Sequence, residues 1–156
     1  MKLERQLQRA KPVLLKALRL DEADFDFHLV SNKEMERIRA MLMARPDFKG
    51  AEARKIRKEE QVNVLAFPEA PGFPQPGRKR RPLGEVYLNS GYGNGDYATL
   101  GPLLVHGLLH LVGYRHYFER DRIIMQKLEQ RLWEELISEI PRAAIKADMR
   151  QAKKQR

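Results

Sequence analysis

Three of the chain's four histidines fall inside one run, His106-Gly-Leu-Leu-His110-Leu-Val-Gly113-Tyr-Arg-His116, at spacings of four and six. On a helix, side chains four apart stand one turn above each other on the same face, so His106 and His110 can reach a single ion. Gly113 sits where a helix can end in a left-handed residue, a conformation that costs glycine little. The chain can then bend back and bring up His116 as a third ligand. Three nitrogens plus an open position make a catalytic zinc site, whereas structural zinc sites close with four protein ligands. Cysteine is absent, which excludes a Cys-based structural site. One histidine on an apolar face is ordinarily a core residue; three at this spacing around a glycine are not.

The spacing matches the metzincin pattern H-E-x-x-H-x-x-G-x-x-H with one departure. The general-base glutamate of such peptidases follows the first histidine, and that position here is Gly107. Either another group activates the water, or the chemistry is not peptide hydrolysis.

The rest of the chain must position this run. At 156 residues it suffices for one domain with a sizeable core, and its 42% hydrophobic and 33% charged residues describe a soluble protein with a heavily charged surface. A formal net charge of +9 suggests a polyanionic partner, whether nucleic acid, an acidic protein or a membrane surface. No apolar stretch approaches a membrane span, the charged start lacks a signal-peptide core, and the absence of cysteine suits a reducing compartment. A cytoplasmic location is expected.

Leu3, Leu7, Val13, Leu14, Ala17 and Leu18 follow a helical period, with Pro12 expected to open a second helical segment. Phe25, Phe27 and Leu29 alternate as a strand, which turns His28 away from the phenylalanine face. Ser31 to Glu34 reads as a capping box ahead of a helix with Met35, Ile38, Met41 and Leu42 on its apolar stripe. Ala51 to Glu60 suits a short helix, Val62 to Pro68 a second strand and Leu83 to Asn89 a third. Between those strands lies a Pro- and Gly-rich loop with the basic cluster Arg78 to Arg81. The histidine helix is expected from Leu100, and a last helix from Glu119 to Ile140 with Ile123, Ile124, Leu128, Leu132, Trp133 and Leu136 spaced for burial. The order reads as α+β with a small mixed sheet packed by helices, one domain over residues 1–140 followed by a basic tail, 141–156.

The histidine run resembles the H-G-x-L-H-L-x-G-Y-D-H segment of the YbeY-type endoribonucleases, also called rRNA maturation factors. Asn63 to Pro68 is similar to that family's D/N-V-L-S-F-P strand, Leu83 to Val86 resembles its L-G-D-I segment, and Met125 and Glu129 stand where it tends to place a Met and a Glu. The resemblance covers most of residues 25 to 132. It implies a zincin-like domain and a zinc-dependent, single-strand-specific ribonuclease acting in ribosomal RNA maturation and ribosome quality control. His106, His110 and His116 would hold Zn2+. The partners implied are precursor ribosomal RNA, the small ribosomal subunit and its assembly factors, with no membrane. The family carries an arginine shortly before the D/N-V-L strand, and Arg57 is the closest match at a spacing one residue short, with Arg54 as competitor. Two positions depart from the pattern: Ala66 replaces Ser, and Arg115 replaces the Asp before the last ligand, a role Glu119 could take.

On that reading, zinc lowers the pKa of a water at its open position from about 15.7 toward 7. An arginine, Arg57 here, would stabilise the charge of the phosphorane, with His110 as a ligand essential to catalysis. Lys and Arg contacts to phosphates would make affinity salt-dependent. Tyr87, Tyr92, Tyr97, Tyr114 and Tyr117 are expected near the site, where base stacking contributes about 1–3 kcal/mol per base. Two alternatives are a metzincin-like hydrolase and a non-enzymatic, ribosome-associated RNA-binding factor with a structural metal.

Overall fold

The structure, a computed structural model, describes residues 2–70, 77, 79–116 and 118–139. The expected tail 141–156, together with Arg78 and Tyr117, lies outside the described residues. The elements run α1 (Lys2–Ala17), β1 (Ala23–Val30), α2 (Asn32–Met43), α3 (Ala51–Lys58), β2 (Val64–Pro68), β3 (Arg81–Asn89), α4 (Tyr97–Leu111) and α5 (Glu119–Glu139). The strands form one mixed sheet in the order β1-β3-β2, with β1 parallel and β2 antiparallel to β3. This is the expected α+β arrangement.

Strand alternation divides the hydrophobic residues between two layers. Phe25, Phe27, Val86 and Leu88 join a core with α1, α4 and α5, while Leu65 joins Met35, Ile56 and Val62 in a smaller cluster with α2 and α3. Helix α4 is the centre of the larger core. Leu100, Leu104, Val105, Leu108 and Leu109 are fully buried, so this helix is apolar on nearly every side. Each such side chain contributes about 1.5–3 kcal/mol on burial, which fixes α4 firmly in place.

Several elements differ from expectation. Pro12 lies within α1 and does not start a second helix. Its ring is exposed, so the carbonyl that loses a partner can turn to water, while Leu7, Ala10, Leu14 and Leu15 keep the buried face continuous. Met41 is exposed, because Met35, Ile38, Arg39 and Leu42 make the stripe of α2 and residue 41 falls outside it. Ile123 and Ile124 are exposed for the same reason: Met125, Leu128, Leu132 and Leu136 set the buried line of α5. Helix α4 begins three residues earlier than its apolar pattern suggests, since Asp96 caps it by accepting from the Thr99 N–H at 3.0 Å and from Thr99 Oγ1 at 2.6 Å.

Arg39 is buried, 7% exposed, and ties α2 to the end of α3. Its Nη2 donates to the Ile56 carbonyl at 2.7 Å and to the Glu59 carbonyl at 2.5 Å. A cation on the carbonyls that end a helix is favourable and holds α3 in one orientation.

Helix α4 comes close to the sheet at Gly107. A β-carbon there would stand 2.5 Å from Val86 Cγ1 and 3.2 Å from Val64 Cγ2. Gly107→Ala is expected to destabilise the fold by about 1–3 kcal/mol through overpacking. In a Val86→Ala background the added penalty should shrink, because the clashing methyl is gone; urea denaturation of the four proteins of that cycle measures both.

Candidate metal centre

Pro102, Leu103, His106 and His110 occupy the one stripe of α4 left uncovered by the core, and all four line a cavity of about 450 Å³. After Leu111 the chain reverses. The Gly113 N–H donates to the His110 carbonyl at 3.1 Å and the Tyr114 N–H to the Leu109 carbonyl at 3.0 Å, with Gly113 at φ 105°. This turn brings His116 back to the helix. Arg115 secures it, since its Nη1 donates to the carbonyls of His110 (3.2 Å) and Tyr114 (3.1 Å). Arg115 therefore serves as a cap at the helix end, not as an orienter of a ligand ring.

The three rings converge. Their centroids are 4.6 Å (His106–His110), 5.2 Å (His106–His116) and 4.8 Å (His110–His116) apart, and a ligand atom from each lies within 4.8 Å of the others. His106 Nδ1 donates to Glu129 Oε1 at 2.6 Å, and His110 Nδ1 donates to the Tyr114 carbonyl at 2.9 Å. The two Nε2 atoms face each other at 3.0 Å, and with both rings neutral each presents a lone pair. Two lone pairs so placed repel unless a positive charge lies between them. Metal–nitrogen bonds of about 2.0–2.1 Å meeting near a tetrahedral angle would separate the nitrogens by roughly 3.4 Å. The donor set therefore fits a divalent cation that prefers imidazole.

A proton is the competing ligand, and His110 resists it. The His110 pKa is lowered to about 4, first by burial and then by neighbouring His106, with Arg115 and Lys55 acting in the same direction against the Tyr114 carbonyl. The third ring meets a cation: Lys55 Nζ lies 2.6 Å from His116 Nδ1 and 3.0 Å from its Nε2. Lys55, Asn63 and Glu129 line the same cavity.

Arg57 is exposed on α3 and, like Arg54, is not among the residues lining the cavity. Lys55, two residues away, is the α3 cation that reaches the rings. The expected tyrosine cluster does not form among the described residues. Tyr97 is buried against Trp133, with ring centroids 5.5 Å apart, and burial raises its pKa to about 12. Tyr87 packs between His28 and Phe67, and Tyr114 reaches the site through its carbonyl. His28 contacts Glu85 at 3.2 Å on the sheet and stands apart from the trio. Glu119 opens α5, exposed and away from the cavity lining; Glu129 is the carboxylate that orients a ring. Nothing in the local pattern marks Lys55, which lies 61 residues before His116.

A helix supplying two imidazoles and a glycine turn supplying the third, beside a small mixed sheet, define an α+β protein with a site able to hold a metal. A model of the family Endoribonuclease YbeY matches residues 2–137. An Endoribonuclease YbeY from Sulfurihydrogenibium sp. is 30% identical over 136 residues, covering 81% of this chain and 79% of the relative. One from Rhizobium johnstonii is 36% identical over 88 residues, 51% of this chain and 50% of the relative. One from Syntrophomonas wolfei is 46% identical over 41 residues, 26% of each chain. The chain belongs to the endoribonuclease YbeY family.

Two outcomes follow from this geometry. In chelator-treated protein, His110 has a folded-state pKa depressed from 6.5 to about 4, so its contribution is fully present above 6.5 and is lost as pH falls through 6.5 toward 4. Urea midpoints should decline over that window, and His110→Gln should flatten the decline. Glu129→Gln replaces the carboxylate that orients His106, and should weaken metal affinity about 10–100-fold in a competition titration while the fold persists.

Proposed function

We propose that the chain is a zinc-dependent endoribonuclease that cleaves single-stranded RNA and acts in ribosomal RNA maturation and ribosome quality control, in the cytoplasm. The observation that carries this is the approach of the His106 and His110 Nε2 atoms to 3.0 Å, beside a third imidazole in an open cleft. The endoribonuclease relatives supply the reaction class. The reading takes the zincin-like domain as residues 1–140 with 141–156 a basic tail. Precursor ribosomal RNA, the small ribosomal subunit and its assembly factors are the partners. No helix among the described residues is long and apolar enough to cross a membrane.

His106, His110 and His116 would hold the cation. When bound, it supplies Lewis-acid activation of the attacking oxygen and neutralises charge at the phosphate. The chain's residues do the remaining work. Glu129 and the Tyr114 carbonyl keep the Nδ1 protons of His106 and His110 in place, so that both Nε2 atoms stay available. Lys55 places an ammonium beside His116, where it can meet the phosphate oxygens as negative charge accumulates. Arg39 fixes the helix that carries it. Arg57 acts from the exposed side of the same helix, where a guanidinium can engage a flanking phosphate.

A peptidase reading has a steric objection. The β-carbon of a glutamate at 107 would fall 2.5 Å from Val86 Cγ1, so the missing base could be placed here only if the helix or Val86 shifted.

Cleavage of a labelled single-stranded RNA, with and without chelator, tests the proposal alongside elemental analysis. About one zinc per chain and chelator-sensitive cleavage are expected, with His110→Ala inactive yet folded. Lys55→Ala should lower kcat about 100-fold, whereas Arg57→Ala should chiefly raise KM and reduce its dependence on salt. One bound zinc with no chelator-sensitive cleavage would refute the nuclease role and favour a binding factor with a structural metal.

A further inference from the structure

Gln61 and Val62 form a wall shared by the cavity of the imidazole trio and a second cavity of about 410 Å³. The second cavity is bounded also by Asn32, Glu36, Glu60 and Asn89. Its amides are held in defined orientations by a chain of hydrogen bonds that starts from the backbone. The Gly91 N–H donates to Asn89 Oδ1 at 2.9 Å, which makes Asn89 Nδ2 a donor. That nitrogen donates to Asn32 Oδ1 and, at 3.3 Å, to Asn63 Oδ1. Gln61 Nε2 donates to the same Asn32 oxygen at 3.0 Å. A backbone N–H cannot be flipped, so each amide in the chain has its oxygen and nitrogen assigned. Asn89, 1% exposed, is the buried anchor, whereas Asn32 and Gln61 are exposed at the cavity.

Among the lining side chains these bonds leave one amide donor group, Asn32 Nδ2, against several acceptors: Gln61 Oε1 and the carboxylates of Glu36 and Glu60. Glu36 is only loosely engaged, its carboxylate 3.5 Å from Arg39 Nη1. In a chain of net charge +9 these acceptors are a local exception, and they disfavour a phosphate. They suit a planar group rich in N–H donors. Unstacked nucleobases are such groups, and single-stranded RNA is read through their hydrogen-bonding edges. Adenine, cytosine and guanine carry an exocyclic amino group, whereas uracil turns carbonyl oxygens toward the same carboxylates.

We propose that this second cavity is a nucleobase subsite that takes an amino-bearing base from the strand whose phosphate lies at the imidazole trio, excluding uracil. It rests on the ribonuclease reading only for the origin of the strand. The trio handles phosphate, and the amide-lined cavity next to it selects the neighbouring base.

Binding of fluorescent heptanucleotides to chelator-treated protein tests this without any turnover. The set is an all-uridine strand and strands with one adenosine, cytidine or guanosine at the centre. The amino-bearing strands should bind about tenfold more tightly than the all-uridine one. Gln61→Ala, an exposed position, should bring their affinities down to the all-uridine value, and Glu36→Gln should narrow the gap. Thermal melting checks that both variants fold. Equal affinity of all strands for the wild type, or a preference that survives in Gln61→Ala, would overturn the subsite. Chelator-sensitive cleavage is scored in parallel on the same strands with metal restored. A base preference without cleavage would keep the subsite and refute the nuclease, and cleavage without a preference would do the reverse.

Discussion

Two imidazole nitrogens, the Nε2 atoms of His106 and His110, face each other across 3.0 Å, and the rest of the structure can be understood as holding them there. Burial, ahead of the neighbouring His106, lowers the His110 pKa to about 4, so that ring resists taking up a proton. The close approach is not relieved by ring rotation, because Glu129 and the Tyr114 carbonyl each accept from an Nδ1. It is not relieved by movement of the backbone, because α4 is buried on every other side by side chains of zero exposure. A cation bound between the rings would engage both nitrogens. The packing free energy of the core thus holds the donor atoms together ahead of any ligand, and metal affinity becomes linked to folding.

The parts of this arrangement that were legible in the sequence are the local ones. The four-residue step from His106 to His110 and the turn at Gly113 depend on helix geometry alone, and the structure has both. Strand alternation likewise placed Phe25 and Phe27 on the buried face and His28 on the other. Legibility failed where several apolar residues competed for one stripe. Ile123 and Ile124 are as hydrophobic as Met125, and only the line continued by Leu128, Leu132 and Leu136 decides between them. It failed again for Lys55 and for Arg39, whose partners lie 61 and 17 residues away, since a charged residue on a short basic helix carries no mark of what it will face.

Helix α3 shows how such a distant contact is made dependable. Eight residues are too few to be stable alone, even with a basic last turn that complements the helix dipole. Arg39 of α2 donates to the carbonyls at its end while Ala53 and Ile56 are buried beneath it. The position of Lys55 is therefore set from below by packing and from the end by a buried guanidinium, which leaves its own side chain available to the cleft.

Gly107 explains how a shared ligand spacing can serve different chemistries. The positions of two ligands on a helix follow from its pitch, so any protein that binds a metal through one helix face arrives at the same four-residue step. The residue between them is decided by what the helix packs against. Here that surface is the sheet, at a distance where a β-carbon would fall 2.5 Å from Val86. The carboxylate that a peptidase keeps at this point is opposed by the same contact that brings β2, and with it Asn63, to the rim of the metal cavity. Glu129, reaching in from α5, supplies a carboxylate at the Nδ1 side of the ring instead, where it orients His106. Ligand geometry and the choice of base are thus separable, the first written in helical pitch and the second in the separation between helix and sheet.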